Sequence, residues 1–241
     1  MSERDDLGNR MKHQYEDRTR YLLPRRTWTI IRVDGKAFHT FTEGLQRPYD
    51  YSLVKALNGA TVELLSKSQG SLLAYLQSDE ISIVLQDFKR ITTDAWFDGN
   101  VQKIASVSAS IFTGYFNKLF KHPSDSIGIF DARVFTIPDP VEVENYLIWR
   151  QQDAIRNSIQ SLGRKHFSYK EVEGLSCSQI QEKLFCTHSI NWNGEPTTFK
   201  RGRAIYKYKD IYYVDDNIPV FTQDRNFLKS LLNVVDEVEN A

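Results

Sequence analysis

The sequence predicts an α+β fold, in which an antiparallel sheet in βαββαβ order carries two helices on one face and is followed by a C-terminal extension of helices and a hairpin. Two observations predict it. Short apolar runs typical of strands and long amphipathic stretches typical of helices follow one another in that order. The 241 residues are 41% apolar and 26% charged, which excludes disordered, collagen-like and coiled-coil chains. We expect a core over 1–140 and an extension over 141–241 packed on it as one structural unit.

The first strand and the first helix are both indicated by apolar spacing. Thr27 to Val33 is β-branched and nearly continuously apolar, which predicts a strand buried on both faces that stops at Asp34 and Gly35. From Asp50 to about Lys67 apolar residues recur at helical spacing, with Asp50 or Ser52 near the N-cap.

Two further strands form a predicted hairpin, over Leu72 to Leu76 and Ile81 to Leu85, with two acids at its tip. A second helix is predicted from about Asp94 to Phe120. Its predicted buried stripe comprises Ile104, Val107, Ile111, Tyr115 and Leu119. A fourth strand, Ala132 to Ile137, is ended by prolines.

The resulting order is the split βαβ, or ferredoxin-like, arrangement, which is also the palm of nucleic-acid polymerases and nucleotide cyclases. In the extension, a third helix from Val141 to Leu162 places Arg150, Asp153 and Asn157 together on one face. A short helix near 178–185, a hairpin over 203–208 and 211–214, and a last helix over 224–241 complete the prediction.

Charge and hydropathy limit the partners. Lys and Arg total 31, as do Asp and Glu, so any nucleic-acid affinity must come from clustered charge. The longest apolar run, Leu72 to Leu76, is far shorter than the roughly 20 residues that span a bilayer. We therefore expect no membrane partner, and the acid-rich N-terminus without an apolar signal core predicts a cytoplasmic protein.

Three carboxylates are expected to meet at one edge of the predicted sheet. In the split βαβ order the first and third strands are neighbours, so Asp34 faces the hairpin tip with Asp79 and Glu80. Converging carboxylates repel one another unless cations lie between them, and Mg²⁺ accepts such oxygen ligands and bridges phosphates. The alternative is that Asp34 and Gly35 form a simple turn and that the acids of the hairpin belong to an ordinary loop.

Cations near these acids are candidates for binding a triphosphate. They are Lys36, His39, Arg47, Lys103 and Arg133. Taken singly, residues of this kind are more often solvated surface charges than ligand contacts. Asp50 fits a helix cap at least as well as a contact to a ligand. Between Lys200 and Lys209, five basic residues surround Tyr206 and Tyr208, which suits either an RNA backbone with exposed bases or a solvated hairpin.

A series of short motifs resembles the tRNA-histidine guanylyltransferase superfamily in family order. The motifs are R-V-D-G-K-A-F-H at 32–39, R-P-x-D at 47–50, Q-S-D-E at 77–80, W-F at 96–97, F-D-A-R-V at 130–134, Y-L-x-W-R-Q-x-D at 146–153, N-W-N-G-E-P at 191–196 and K-R-G at 200–202. Individually these motifs are weak, but their joint order is specific.

The resemblance implies a palm that adds nucleotides in the 3′-to-5′ direction to the 5′ end of a tRNA, with two Mg²⁺ ions and with ATP or GTP as substrates. By similarity, Asp34, Asp79 and the Gly35 carbonyl bind metal, and Glu80 stands beside them in the catalytic set. The implied nucleotide pocket comprises Lys36, Phe38, His39, Arg47, Asp50 and Ser78. A second triphosphate or the activated 5′ end is assigned to Arg32, Lys103 and Arg133. Predicted tRNA contacts are Arg150, Asp153, Asn157, Asn191, Lys200, Arg201, Arg203 and Lys207. Members are commonly homotetramers, built as dimers of dimers.

One departure from the family motifs bears on the reaction. Enzymes that add the extra guanosine to tRNA-histidine carry His-Ile-Asn-Asn where this chain has Ile155, Arg156, Asn157 and Ser158. The missing histidine favours the branch that repairs 5′-truncated tRNAs under the direction of the opposite strand. Guanosine addition at position −1, a nucleotide cyclase and a non-catalytic RNA-binding module are the alternatives.

Overall fold

The computed structural model describes residues 6–232 of the chain. Its strands are β1 (Trp28–Gly35), β2 (Ser71–Gln77), β3 (Glu80–Leu85), β4 (Phe130–Ile137), β5 (Arg203–Tyr208) and β6 (Ile211–Asp215). They form one six-stranded sheet in the order β4-β1-β3-β2-β5-β6, and every neighbouring pair is antiparallel. The predicted α+β fold with an antiparallel sheet is confirmed.

Five longer helices accompany the sheet: α1 (Tyr51–Lys67), α2 (Val101–Leu119), α3 (Pro140–His166), α4 (Cys177–His188) and α5 (Arg225–Leu232). Short helical segments lie at Leu7–Met11, Lys12–Glu16, Asp17–Thr19, Phe38–Phe41, Trp96–Gly99, Tyr169–Val172, Trp192–Gly194 and Thr197–Arg201. The predicted last helix is present as α5, and its remainder, 233–241, lies outside the described residues.

The sheet is covered on both faces, which explains the nearly continuous apolar run in β1. Ile31 and Val33 join a cluster with α1 and α2, whereas Trp28 and Ile30 join a second cluster with α3 and α5. The two helices of the βαββαβ unit therefore share one face as predicted, and the extension covers the other. A third, smaller cluster joins α3 to α4.

The terminal hairpin continues the sheet, because β5 pairs with β2 in a register that sets Leu76 opposite Arg203. As a result, residues from before and after position 140 share one sheet. Among the described residues, no helix has the length and apolar character that a membrane crossing requires.

The second helix differs from its prediction at its start and in its buried stripe. It begins at Val101, after Asn100 caps it by accepting the Lys103 N–H at 3.0 Å. The buried stripe runs through Ile104, Ser108, Phe112 and Phe116, and Leu119, predicted to be buried, is 51% exposed. The helix is rotated in this way because Phe112 and Phe116 pack against Phe130 of β4, with ring centroids 4.6 and 5.0 Å apart.

Candidate active site

The structure brings Asp34 and Asp79 together at one end of the sheet. Asp34 lies near the end of β1, and Asp79 lies in the turn of two residues that joins β2 to β3. A methyl group placed on the Cα of Gly35 would come within 2.7 Å of Asp79 Oδ2. The carboxylate of Asp79 therefore rests against the backbone of Gly35, next to Asp34, and a side chain at position 35 would displace it.

The electrostatics of this acid pair are unfavourable in the protein alone. Burial, together with the charges of Asp34 and Glu80, raises the pKa of Asp79 to about 6, against hydrogen bonds from the Ser78 side chain and from its own backbone. Within 6–232, no lysine, arginine or histidine forms an ion pair with Asp34 or Asp79. The pair therefore requires a proton or an added cation to be compensated.

The donor set at this place fits a hard divalent cation. It consists of two carboxylates and the carbonyl of Gly35, all of them oxygen donors of the kind that Mg²⁺ prefers. The described residues hold no cluster of three or more histidine, cysteine or acidic side chains arranged for a metal. Mg²⁺ commonly uses one or two carboxylates and completes its shell with water and substrate phosphates, so the small number of protein ligands is no obstacle.

Glu80, the third predicted acid, has a different environment. Arg150 Nε donates to Glu80 Oε1 at 2.7 Å, and Arg150 Nη2 donates to Oε2 at 2.8 Å. Arg32 Nε lies 3.9 Å from Oε2. The charge of Glu80 is thus compensated by protein cations, unlike that of Asp34 or Asp79.

Several of the predicted phosphate-binding cations are exposed near the acid pair. Lys36 and His39 follow Gly35 directly, and Arg133 of β4 stands opposite Arg32 of β1. These three and Arg47 are exposed, and none of them forms an ion pair within the described residues. Their charges are available to an anionic ligand, although the chain as a whole is neutral.

Two other residues of the predicted nucleotide pocket have structural partners, and a third is exposed. The Phe38 ring is buried and packs on Phe41, Phe116 and Phe130, so it supports the Gly35 backbone from the core and does not face a ligand. Asp50 caps α1, where it accepts the N–H groups of Ser52 and Leu53 at 2.9 and 3.0 Å. Ser78 is exposed at the hairpin tip, with φ of +47°.

Lys103 is not brought to the acid pair within one copy of the chain, and the prediction that it joins Arg32 and Arg133 there was wrong for the protomer. The first turn of α2 lies near the start of β1, because Ile104 lines a small cavity with Thr29. The other end of α2 approaches Gly35, since Phe116 contacts Phe38. Sequence spacing located Lys103 on the helix but did not indicate which end of β1 that turn would face.

The predicted tRNA contacts are divided between the surface and the interior. Arg150 and Arg203 are only 6% and 2% exposed, so neither presents its guanidinium to a large ligand, and these two predictions are corrected. Arg203 Nε donates to Asn58 Oδ1, and burial lowers the pKa of Arg203 to about 10. Local patterning showed basic residues there but not that β5 would be an inner strand.

The remaining residues of this group are more accessible. Asn157 and Asn191 are exposed, and Asn191 lines a hollow of about 390 Å³ with Phe185 and Trp192. Asp153 is half-buried. Lys200 and Arg201 are half-buried too, and they donate to the carbonyls of Asn193 and Ile218. Lys207 is exposed and paired with Asp210 at 2.9 Å.

Two residues beside the acids were missed. Asp131 stands opposite Asp34 in the β1–β4 register, which adds a second negative charge at that position. The Tyr146 hydroxyl lies 2.8 Å from Ser82 Oγ, which links α3 to β3. Both residues belong to motifs noted in the sequence, but the site residues predicted from those motifs are Arg133, Arg150 and Asp153.

Comparisons with known proteins show which family this chain resembles. Residues 8–138 match the family model described as Thg1: tRNAHis guanylyltransferase. A relative from Schizosaccharomyces pombe, named tRNA(His) guanylyltransferase, is 31% identical over 205 residues, which cover 78% of this chain and 76% of the relative. An uncharacterized protein of Acanthamoeba polyphaga mimivirus, R259, is 28% identical over 228 residues, which cover 84% of this chain and 77% of that protein.

Solved structures are similar over nearly the whole chain. A bacterial tRNA(His) guanylyltransferase (Thg1)-like protein in complex with ATP has a TM-score of 0.90 at 41% identity, with 94% of this chain and 99% of that chain covered. A bacterial Thg1-like protein in complex with GTP has a TM-score of 0.82 at 38% identity, with 95% and 99% covered. The Saccharomyces cerevisiae tRNA(His) guanylyltransferase, at 24% identity, 89% and 98% coverage and a TM-score of 0.71, shares the fold. The family model covers more than half of the sequence, and the chain therefore belongs to the tRNAHis guanylyltransferase family.

Proposed function

We propose that the protein is a nucleotidyltransferase that extends the 5′ end of truncated tRNA in the 3′-to-5′ direction, one complementary nucleotide at a time. The observation that carries the proposal is the uncompensated pair Asp34 and Asp79, packed on the bare backbone of Gly35 and flanked by exposed, unpaired cations. A pair of acids without protein counter-charges is costly to keep unless a ligand completes the site.

Different residues of the chain have different roles in nucleotidyl transfer. Asp34, Asp79 and the Gly35 carbonyl are the groups that would hold two Mg²⁺ ions. When bound, these ions lower the pKa of the attacking 3′-hydroxyl and stabilise charge on the leaving group. Lys36, His39 and Arg47 supply positive charge for the triphosphate of the incoming nucleotide. Ser78, exposed beside Asp79, supplies a hydroxyl to the same ligand.

The reaction requires a phosphorylated RNA end and a nucleoside triphosphate in line with each other. A 5′-monophosphorylated tRNA is first activated by ATP or GTP, and the 3′-hydroxyl of the incoming nucleotide then attacks the activated phosphate. ATP and GTP are the ligands of the two bacterial Thg1-like structures, which supports both as substrates here. We assign the activated end to Arg32 and Arg133, and their position opposite each other in β1 and β4 supports this assignment.

Repair is favoured over guanosine addition at position −1 by the residues on α3 that replace the His-Ile-Asn-Asn motif. Ile155, at the histidine position, packs against the apolar cluster between α3 and α4, so no imidazole is presented there. Guanosine addition remains the second candidate, because the S. pombe relative bears the name tRNA(His) guanylyltransferase.

We further propose that the protein acts in the cytoplasm as a homotetramer, a dimer of dimers. A tetramer would also allow Lys103, remote from Asp34 in its own protomer, to serve the site of another copy. Sedimentation equilibrium tests the assembly, and a monomeric mass at micromolar concentration contradicts it.

A primer-free extension assay tests the reaction. The protein is incubated with Mg²⁺, ATP, the four NTPs and a 5′-monophosphorylated tRNA lacking its first nucleotide, and the opposing 3′-strand nucleotide is varied. Addition that follows the opposing nucleotide supports repair, guanosine added regardless of it supports the second candidate, and a cyclic nucleotide indicates a cyclase. Absence of any product from the wild type contradicts all three.

Two glycine variants make this assay specific for the acid pair. Gly35→Ala introduces a methyl group against Asp79 Oδ2 and Phe38, so we expect product formation to fall by about 100-fold or more. Gly114→Ala is the matched control, since a Cβ at that helical position meets no atom within 4 Å. It should retain the rate and gain about 0.5–1 kcal/mol of stability.

A further inference from the structure

Arg150, a buried arginine of α3, forms two hydrogen bonds with Glu80, the acid next to Asp79. Both Glu80 oxygens accept from Arg150, at 2.7 and 2.8 Å, and the two residues are 9% and 6% exposed. This fork geometry is the strongest form of an arginine–carboxylate pair. It engages both carboxylate oxygens of Glu80 and offsets their charge, so Glu80 is a weaker ligand for an added cation than an unpaired acid.

The pair belongs to a row of alternating charges that ends at the protein surface. Arg150 Nη2 also donates to Asp153 Oδ2 at 2.9 Å, and Asp153 pairs with the exposed Arg156. On the other side of Glu80, Arg32 Nε lies 3.9 Å away, is buried and has no hydrogen-bond partner among the described residues. Glu80 is therefore the central acid between two arginines.

Glu80 and Asp79, neighbours in one hairpin, thus differ in whether a cation lies beside them. Glu80 points to α3, where Ser82 on the same face of β3 also contacts Tyr146. Asp79 rests on Gly35 and has no cationic partner in the part of the chain that the structure describes. The hairpin is fixed at Glu80 and Ser82, and the free acid is held at a defined place one residue away.

We propose that Arg150 is a positioning residue, which keeps Glu80 out of the cation site and, through Glu80, fixes the hairpin that carries Asp79. The proposal rests on the proposed function, since it names the residue that orients the acids of that same site. Asp34 and Asp79 then act as the only side-chain ligands. Arg150 contributes to the rate through Glu80 and not through contact with RNA.

Direct metal binding separates the roles of the two neighbouring acids. Mn²⁺ is titrated in the presence of GTP and followed by electron paramagnetic resonance. Glu80→Gln should change the Mn²⁺ affinity by less than about tenfold, the lower end of what outer-shell partners cost, whereas Asp79→Asn should lower it by more than about 100-fold. Equal losses in Glu80→Gln and Asp79→Asn would overturn the proposal, because Glu80 would then be a ligand.

Kinetics test the positioning by Arg150. Arg150→Lys keeps the charge and loses the fork, so we expect kcat to fall by about 10- to 100-fold while KM for the NTP stays within about threefold. Arg164→Gln, on the exposed end of the same helix, is the matched control and should keep the wild-type values. An Arg150→Lys variant with wild-type kcat would show that the fork is irrelevant to the reaction.

A double variant distinguishes loss of the Arg150–Glu80 pair from general misfolding. Arg150→Gln removes the two-pronged partner of buried Glu80, and Glu80→Gln removes one of the two carboxylates that buried Arg150 contacts, so each should lower the melting temperature. The double variant removes both charges and should melt closer to the wild type than either single variant. Additive losses in the double variant would show that the two residues do not act as a pair. The Mn²⁺ and melting measurements need no RNA, so they decide the proposal even if the wild type extends no tRNA.

Discussion

At the scale of the residue, Asp79 is an acid whose ionised form is unfavourable in the folded protein. Its carboxylate is turned inward against Gly35, near Asp34 and Glu80, and these neighbours offer it no cation. The raised pKa means that the folded chain holds a proton on Asp79 more tightly than the unfolded chain does. The ionised carboxylate therefore lowers the stability of the protein unless a cation compensates it.

Replacing Asp79 by asparagine should therefore stabilise the metal-free protein in a pH-dependent way. The contribution of a raised pKa is fully present below the unfolded value of 3.8 and is lost as the pH rises through about 6. One pKa unit corresponds to about 1.4 kcal/mol, so Asp79→Asn should gain at most about 3 kcal/mol at pH 7.5, and the gain should shrink at pH 5.

Urea unfolding with a chelator at the two pH values measures this difference. Asp125→Asn, in an exposed turn, is the control for loss of one negative charge. If Asp79→Asn raises the free energy of unfolding equally at both pH values, the raised pKa of Asp79 is contradicted. The same variant should be inactive in tRNA extension at either pH.

At the scale of elements, α1 begins at a cap that was also predicted to bind nucleotide. Asp50 accepts the N–H groups of Ser52, Leu53 and, at 3.4 Å, Gln46. Partial burial acts to raise the pKa of Asp50, but the hydrogen bond from the Ser52 hydroxyl and those from the three N–H groups outweigh it and lower the pKa. The carboxylate is thus largely engaged by the backbone of its own helix.

Two substitutions separate the cap from a ligand contact. Asp50→Ala should cost about 1 kcal/mol of unfolding free energy, because two N–H groups of the first turn lose their acceptor, while Asp50→Asn keeps an acceptor and should stay within a few tenths. Chemical denaturation measures both. If Asp50→Asn retains stability and nevertheless raises KM for the NTP severalfold, the carboxylate also contacts the substrate.

The strands and helices were predictable because the spacing of apolar residues indicates each of them locally. The position of Asp34 beside Asp79 followed from the order of the strands and helices. Local spacing could not show which side chains far apart in the sequence would contact each other. Arg150 meets Glu80 across 70 positions, and Arg203 meets Asn58 across 145. The start of α2 was missed because Phe97 and Asp98 turn the chain with positive φ, a conformation that a bulky residue such as Phe97 does not signal.

At the scale of the whole molecule, one sheet unites the acid pair with the C-terminal extension. The helices α3 and α5 cover the face opposite to α1 and α2, and β5 extends the sheet beyond β2. Only a minority of the lysines and arginines in residues 6–232 pair with acids or are buried, so the affinity of this neutral chain for RNA must depend on where its other exposed cations cluster.

The salt dependence of tRNA binding tests this view of the whole charge distribution. Each cation that contacts a phosphate contributes about 1 to the slope of log K against log salt concentration. Arg133→Gln should therefore weaken binding and reduce the slope by about 1. Lys67→Gln is the matched control, because Lys67 is already paired with Glu63 at 2.6 Å on exposed α1. Filter binding of a 5′-truncated tRNA at several salt concentrations gives both slopes. Equal slopes for the two variants would mean that RNA binding relies on charge elsewhere than beside the acid pair, since only Arg133 stands across from Arg32 near Asp34.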